Sequence, residues 1–275
     1  MKVIKLDSAT RVMDIEFVEG DGNEDLPQDF QPYVKEWFNE NFPSLSPPQK
    51  YSFELIHERE NSLISAPTGS GKTLSAFLST LNELYRKGEN GELEDKIYVV
   101  YVSPLKALNN DIQRNLEEPL KGIREKAEEN GVDIPEVRSA VRTGDTTDAE
   151  KAEMRENPPH IMITTPESLG ILLSSPKFRE NLKSVEYMIT DEIHSLSENK
   201  RGVHLSLSME RLEELSKNDI TRIGLSATQA PIKDIASFLV GFDVEEETWE
   251  KETEYETVDM AEEDARSLMW LLQRR

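Results

Sequence analysis

The segment ISAPTGSGKTLSAFL, residues 64–78, joins a short apolar run to an apolar-periodic helix through a turn of small residues. Within it, residues 66–73 have the spacing of a phosphate-binding loop, with Ala66 where the first glycine usually stands. Gly69 and Gly71 let the backbone turn so tightly that successive N–H groups point at one anion. The following helix adds the positive end of its dipole. The segment therefore predicts a nucleoside triphosphate site.

The side chains of this loop have separate predicted roles. Lys72 reaches the β- and γ-phosphates, and the Thr73 hydroxyl binds Mg²⁺. The alternative is an ordinary Gly/Ser turn before a helix, but a strand before the loop and a helix after it argue against that interpretation. The predicted nucleotide-binding residues of the loop are Thr68, Gly69, Ser70, Gly71, Lys72 and Thr73.

Between residues 29 and 241, short apolar runs alternate with helical patterns, which predicts an α/β fold with a parallel sheet covered by helices on both faces. The runs are rich in Ile and Val and are flanked by turn residues, as buried strands are. Because ligands bind at the carboxyl ends of parallel strands, we expect the unusual residues to meet there. The predicted strands are NSLISA (61–66), KIYVVYVS (96–103), EVRSAV (136–141), HIMITT (160–165), SVEYMIT (184–190) and TRIGLSA (221–227), and the predicted helices include residues 72–86, 106–130, 203–216 and 232–240.

Composition divides the 275 residues into three parts. Residues 1–28 form an acidic, turn-rich N-terminal extension, residues 29–241 the nucleotide-binding domain, and residues 242–275 an acidic tail or the start of a linker. The chain has 54 acidic residues and 32 Lys and Arg, a net charge of −22. Of this, −8 lies in the tail, which has twelve acids and four bases. Such acidity argues against general adhesion to polyanions and restricts nucleic acid to a locally basic groove.

Several classes of protein are excluded by what the sequence lacks. Without cysteine there are no disulfides or Cys-type zinc sites. The sequence contains no window near the roughly 18 apolar residues of a membrane span, and its start does not resemble a secretory signal. We therefore expect a soluble cytoplasmic protein with no membrane partner.

Two acids follow the predicted strand at residues 184–190. Asp191 suits the Mg²⁺ shell, and Glu192 suits orienting and deprotonating the water that attacks the γ-phosphate. His194 is predicted to link the γ-phosphate to the element that moves. The alternative is an acidic strand end that caps a helix. The predicted catalytic residues are Lys72, Asp191, Glu192 and His194, and the predicted metal ligands are Thr73 and Asp191.

Further short motifs occur in a fixed order along the chain. They are SPPQ (46–49), YVSPLKAL (101–108), RTGDT (142–146), TTPESL (164–169), NKRGVH (199–204) and LSAT (225–228), in addition to the phosphate loop and DEIH (191–194). Together they resemble the first motor domain of a superfamily 2 helicase of the DExH type, and the Lhr-like (large helicase-related) group in particular. The resemblance covers about residues 31–241. It implies a RecA-like P-loop NTPase fold and a helicase driven by nucleic-acid-stimulated ATP hydrolysis.

The resemblance assigns roles beyond the phosphate loop. Gln49 is implied to select ATP, since a side-chain amide can pair with both edges of adenine. Either Trp37 or Phe42 would stack on the ring. Lys200 and Arg201 would add positive charge near the DEIH motif; the alternative is a solvated loop. Ser226, Ala227 and Thr228 are implied to couple hydrolysis to movement. As a set on one face, exposed backbone N–H groups, hydroxyls and one lysine are expected to contact single-stranded DNA or RNA, although an ordinary turn is the alternative for each residue alone. The predicted nucleic-acid residues are Pro104, Lys106, Thr143, Gly144, Thr165 and Pro166.

Such motors use a second RecA-like domain, in the same or another polypeptide, whose arginines stabilise charge on the transferring phosphate. About 47 residues follow Thr228, and none resembles the motifs of that domain. We therefore expect weak ATP binding, little hydrolysis and no unwinding by these 275 residues alone. The resemblance implies 3′-to-5′ movement and leaves DNA repair and RNA metabolism open.

Two other functions compete with the helicase interpretation. One is a non-catalytic nucleotide-binding module that holds a larger assembly together, but the complete set of Lys72, Asp191 and Glu192 argues against a decayed site. The other is a P-loop kinase, which would need an acceptor pocket and lid arginines in place of TTPES and LSAT. ATP turnover that depends on nucleic acid separates the helicase from both.

Overall fold

The fold is built around one mixed sheet with helices on both faces. The computed structural model describes residues 2–6, 15–18, 22–104, 113–197, 200–227 and 231–241. The strands are β1 (Lys2–Leu6), β2 (Ile15–Phe17), β3 (Asn61–Ser65), β4 (Val99–Val102), β5 (Ser139–Arg142), β6 (Ile161–Thr164), β7 (Tyr187–Thr190) and β8 (Thr221–Ser226). Across the sheet their order is β2-β1-β3-β8-β7-β4-β6-β5.

All six predicted strands are present, and the run from β3 to β5 in this order is parallel throughout. The central strand β4 is buried on both faces, as its unbroken apolar sequence requires. Val99 and Tyr101 pack in the hydrophobic core on one side of the sheet, whereas Val100 and Val102 pack on the other. The predicted α/β fold is therefore confirmed.

The helices of the described residues form a layer on each face of the sheet. The layer of α1 to α4 packs on one face, and α5, α6, α8 and α9 pack on the other. Within the described ranges, we find no helix with the length and hydropathy of a membrane span. The helices are α1 (Pro32–Asn41), α2 (Gln49–His57), α3 (Lys72–Glu89), α4 (Glu118–Glu129), which follows a π-helical turn (Gln113–Glu117), α5 (Asp148–Glu156), α6 (Pro166–Ser174), α7 (His194–Ser197), α8 (Lys200–Leu215) and α9 (Ile232–Val240).

Three predicted segments differ from the structure or lie wholly or partly outside the described residues. The predicted helix at residues 106–130 is described only from residue 113, and the acidic tail at residues 242–275 lies outside the described residues. The predicted parallel sheet also gains two strands from the N-terminal extension, because β1 pairs antiparallel with β3 and β2 pairs antiparallel with β1. The sheet is therefore mixed.

The pairing of β1 with β3 has a physical reason. Without β1, β3 would be an exposed edge strand with unpaired backbone groups. The short strand β1 covers that edge, and its apolar side chains are buried: Val3 is 2% exposed, Ile4 0% and Leu6 1%. Ile4 and Leu6 join the core beneath α9. The sequence did not predict that β1 belongs to the core, because residues 1–28 are acidic and rich in turn residues.

Replacing Ile4 with Ala tests whether β1 is part of the domain. We expect the free energy of unfolding to fall by about 2–5 kcal/mol, because the change leaves a cavity in a fully buried site. The measurement is urea unfolding. The matched control is Val203→Ala, where the side chain is 65% exposed and the change should stay within about 0.5 kcal/mol. Equal effects of the two substitutions would contradict the assignment of β1 to the core.

Candidate active site

The carboxyl ends of the six parallel strands meet along one edge of the sheet. The motifs there fall into two groups. The nucleotide group follows β3, β8 and β7, and its motifs are predicted to bind ATP and Mg²⁺, to catalyse hydrolysis or to couple it to movement. The nucleic-acid group follows β4, β6 and β5, and its motifs are predicted to bind nucleic acid. The boundary between the groups lies between the neighbouring strands β7 and β4. In order along the edge, the motifs are residues 66–73, residues 225–227, residues 191–194, Pro104, Thr165–Pro166 and Thr143–Gly144.

The phosphate loop turns at two glycines in the left-handed region, Gly69 with φ of 79° and Gly71 with φ of 89°. α3 then begins at Lys72, as predicted. The Lys72 side chain is 3% exposed, and its Nζ lies 3.5 Å from the carbonyl oxygen of Pro67. Among the described residues, Ser70 Oγ is buried without a hydrogen-bond partner. The loop therefore has the backbone form of an anion site, with its lysine folded over it.

Residues of the SPPQ motif brace this loop from outside. Ser46 Oγ donates to the carbonyl oxygen of Ser70 at 2.7 Å, and Gln49 Oε1 accepts from Ser46 N at 2.8 Å. A Cβ added to Gly71 would lie 2.8 Å from Gln49 Nε2 and 2.9 Å from Ser46 Oγ. Gln49 is 3% exposed, so its amide lies against the loop.

The two aromatic candidates for stacking on adenine differ in exposure. Trp37 is 7% exposed and packs against Gly122 of α4, where an added Cβ would lie 2.1 Å from its Nε1. Phe42 is half-buried and contacts the Trp37 ring, with centroids 6.0 Å apart. Phe42 is therefore the more accessible of the two.

Asp191 lies at the end of β7 and is 6% exposed. Its Oδ2 accepts from the Tyr101 hydroxyl, and its Oδ1 accepts from Glu192 N at 2.8 Å. Burial raises the pKa of the Asp191 carboxyl above its ordinary value, although both hydrogen bonds and the charge of Lys72 act to lower it. A nearby cation would stabilise the ionised form of such a carboxyl.

Asp191 and Thr73 are suited to binding Mg²⁺. Asp191 offers oxygen ligands of the kind Mg²⁺ prefers, and the half-buried Thr73 stands in the first turn of α3. Within the described ranges, no group of three or more His, Asp and Glu side chains could hold a metal ion. Mg²⁺ commonly binds to only one or two protein ligands and takes its other ligands from substrate phosphates and water, so two side chains are enough here.

His194 connects the DEIH motif to the LSAT motif. Its Nδ1 accepts from Ala227 N at 3.2 Å and lies 3.3 Å from Ser226 Oγ. Because Nδ1 is an acceptor, the neutral ring carries its proton on Nε2, which lies 3.3 Å from Glu192 Oε2. Glu192 itself has a φ of 48°, a conformation that few non-glycine residues adopt. The structure thus brings His194 together with Glu192, Ser226 and Ala227, while Thr228 lies outside the described residues.

The predicted nucleic-acid residues that the structure describes lie at strand ends, but three of them, Pro104, Thr165 and Pro166, are buried. Thr165 is 6% exposed, and its Oγ1 accepts from Ser168 N at 3.3 Å as the N-cap of α6. Pro166 is buried as the first residue of that helix. The Thr165 hydroxyl is therefore used by the cap, which differs from the expectation that it would contact a phosphate.

Of the remaining nucleic-acid candidates, the structure describes Thr143, Gly144 and Pro104. Thr143 N donates to Thr146 Oγ1 at 2.9 Å, which closes the turn after β5. Gly144 is exposed there, and an added Cβ would meet no described atom within 4 Å. Pro104 is buried after β4. Lys106 lies outside the described residues.

Arg201 links two of the predicted nucleic-acid motifs, a role that was not predicted from the sequence. Its Nη2 donates to the carbonyl oxygen of Pro104 at 3.0 Å, and its Nε donates to Glu167 Oε1 at 2.5 Å. Arg201 therefore ties the loop after β4 to the first turn of α6. The NKRGVH motif marked the residue, but nothing in the sequence identified partners 97 and 34 positions away.

The loop between β3 and α3, the acids after β7 and the helix-covered sheet define a RecA-like P-loop nucleoside triphosphatase domain. The DEAD/DEAH box helicase pattern matches residues 46–235. The chain therefore belongs to the DEAD/DEAH box helicase family, which confirms the predicted DExH-type motor domain.

Named relatives confirm the predicted likeness to the Lhr group. The chain is 62% identical over 209 residues to ATP-dependent helicase Lhr-Core protein 2 of Thermococcus barophilus, covering 76% of this chain and 24% of that protein. It is 59% identical over 211 residues to ATP-dependent helicase Lhr-Core of Methanothermobacter thermautotrophicus, covering 77% and 24%. The chain thus spans about a quarter of the length of the curated relatives it matches.

A solved structure gives the same result. Helicase Lhr of Mycobacterium smegmatis, bound to ssDNA and AMP-PNP, is similar with a TM-score of 0.71 and 44% identity. The match covers 77% of this chain and 26% of that one.

Gly71→Ala tests the geometry of the phosphate loop. We expect nucleotide affinity to fall at least about tenfold, because alanine is strained at this φ and its Cβ would displace Ser46 and Gln49. The measurement is titration with a fluorescent ATP analogue. Gly131→Ala is the control, since φ is 69° there and the added Cβ would meet no described atom within 4 Å. Unchanged affinity in Gly71→Ala would contradict the assigned loop geometry.

Proposed function

We propose that this chain is the ATP-binding half of a helicase motor that couples ATP hydrolysis to movement along single-stranded nucleic acid. The observation that supports it most is the arrangement of motifs along one edge of the sheet. A nucleotide group on β3, β8 and β7 lies directly beside a nucleic-acid group on β4, β6 and β5. Because β7 and β4 are adjacent strands, a structural change at the nucleotide group can be transmitted directly to the nucleic-acid group.

ATP binds at the phosphate loop in this proposal. The backbone N–H groups of residues 68–71 surround the phosphates, and Lys72 neutralises charge on the β- and γ-phosphates. Gln49 selects adenine after its amide turns from Ser46 N toward the base. Phe42 is the better placed aromatic residue for stacking, because Trp37 is held in the core.

Thr73 and Asp191 hold Mg²⁺ beside the loop. When bound, Mg²⁺ neutralises charge that develops on the β- and γ-phosphate oxygens. Asp191 contributes carboxylate oxygens from the end of β7. Thr73 contributes its hydroxyl from the first turn of α3.

Glu192 orients and deprotonates the water that attacks the γ-phosphate. The Nε2 proton of His194 holds the Glu192 carboxylate at 3.3 Å, while Nδ1 of the same ring accepts from Ala227 N. A change at the γ-phosphate that moves Glu192 would therefore act on the LSAT motif through one imidazole. This is the route by which Ser226, Ala227 and Thr228 would couple hydrolysis to movement.

The nucleic acid strand lies across the turns after β4, β6 and β5. Backbone N–H groups near Gly144 and the side chain of Lys106 bind phosphate oxygens, which carry no base code and suit a motor that ignores sequence. Thr165 and Pro166 act by fixing the start of α6, where the helix N-terminus faces the strand. Pro104 is held in place by Arg201.

A second RecA-like domain, in the same or another polypeptide, completes the ATP site by supplying arginines to the transferring phosphate. The 275 residues alone are then expected to bind ATP weakly and to hydrolyse it slowly. The two archaeal relatives are each about three times as long as this chain, which leaves room for such a domain in proteins of that kind. The cytoplasmic location remains a prediction.

Glu192→Gln tests the proposed chemistry in a protein that contains this chain and a second RecA-like domain. We expect single-stranded DNA or RNA to stimulate ATP hydrolysis by the wild type. The substitution should lower that rate by about 10²–10⁴-fold, because it removes the general base. The measurement is phosphate release with and without nucleic acid.

The exposed Glu156→Gln on α5 is the matched control and should hydrolyse ATP like the wild type. Hydrolysis that ignores nucleic acid, or that survives in Glu192→Gln, would contradict the motor assignment.

A further inference from the structure

A buried tyrosine crosses the boundary between the two groups of motifs. Tyr101 lies on β4 and is 0% exposed, opposite Ile189 in the register with β7. Its hydroxyl donates to Asp191 Oδ2, just beyond the end of β7. The roles proposed above give this tyrosine no part. It nevertheless joins a strand of the nucleic-acid group to the carboxylate proposed to bind Mg²⁺.

The ring of Tyr101 makes a second connection, to the helix that follows the phosphate loop. It stacks on Phe77 with ring centroids 4.9 Å apart and an interplanar angle of 29°. Phe77 is fully buried on α3, four residues after Thr73, so the two residues lie on the same side of the helix. One side chain therefore contacts both Asp191 and the helix that carries Thr73.

The hydroxyl also fixes how Asp191 is presented. Tyr101 donates to Oδ2 and Glu192 N donates to Oδ1, so each carboxylate oxygen has one donor. A carboxylate oxygen has room for a further partner, so both remain able to face a cation or its bound water. Hydrogen bonds to an ionised group are stronger than neutral ones, which suits them to hold this orientation in a buried site.

We propose that Tyr101 is a positioning residue for the metal–nucleotide site, whose ring and hydroxyl set Asp191 at a fixed separation from Thr73. Both proposed ligands can then meet one Mg²⁺–nucleotide complex without rearrangement. This inference rests on the proposed function, because it assumes that Thr73 and Asp191 act at the same metal ion.

Tyr101→Phe separates positioning from packing, since it keeps the ring on Phe77 and removes only the hydroxyl. We expect the Mg²⁺ concentration for half-maximal binding of mant-AMP-PNP to rise about tenfold, because Asp191 Oδ2 loses a charge-assisted hydrogen bond. Affinity for the same analogue in excess EDTA should stay at the wild-type value. The measurements are fluorescence titrations over a range of Mg²⁺, with thermal unfolding recorded in parallel.

Tyr98→Phe is the matched control. Tyr98 is 5% exposed and precedes β4, and its hydroxyl bonds Glu94 N at 3.0 Å and the carbonyl oxygen of Glu92 at 3.3 Å. The variant loses a buried, hydrogen-bonded hydroxyl that makes no contact with Asp191. Its Mg²⁺ requirement should match the wild type.

Three results would overturn parts of this account in distinguishable ways. Wild-type Mg²⁺ dependence in Tyr101→Phe would show that the hydroxyl positions nothing. An equal loss of affinity with Mg²⁺ and with EDTA would show that Tyr101 serves only the fold. A wild-type chain that binds no analogue under any condition would overturn the proposed function itself, and with it this inference.

Discussion

The turn between β3 and α3 is the constraint on which the rest of the site depends. Its backbone can surround an anion only because Gly69 and Gly71 take positive φ, and Gly71 additionally leaves room for Gln49 and Ser46. The strand order of the parallel sheet then determines which motifs lie next to this turn. The strands β8 and β7 follow β3 in the sheet, so the LSAT and DEIH motifs emerge beside the loop in that order.

Three side chains connect the motifs along the edge. His194 joins Glu192 to Ala227 within the nucleotide group. Tyr101 crosses from β4 to Asp191, and Arg201 ties Pro104 to Glu167 within the nucleic-acid group. A motor needs connections of this kind, because binding energy at one site can change another only through groups that respond to both. Each of these side chains can be altered singly, so the contributions of the connections can be separated.

The sequence was sufficient for the features that depend on local pattern. Buried parallel strands need continuous apolar runs and the phosphate loop needs glycines at fixed spacing, so both were predicted correctly. Features that depend on distant partners were not predicted. β1 pairs with a strand more than fifty positions away, and the Tyr101–Asp191 bond spans 90 positions. The sequence also did not show that the Thr165 hydroxyl, predicted to bind phosphate, accepts from Ser168 N as a helix cap.

Whether the phosphate loop holds the nucleotide can be measured by isothermal titration of the chain with AMP-PNP and Mg²⁺, for the wild type and for Lys72→Ala. We expect weak but measurable binding at one site in the wild type and its loss in Lys72→Ala, because Lys72 lies over the phosphate loop and is the only cationic side chain within residues 66–73. If both proteins bound with equal strength, the nucleotide would be held somewhere other than the phosphate loop, and the assignment of this loop would be wrong.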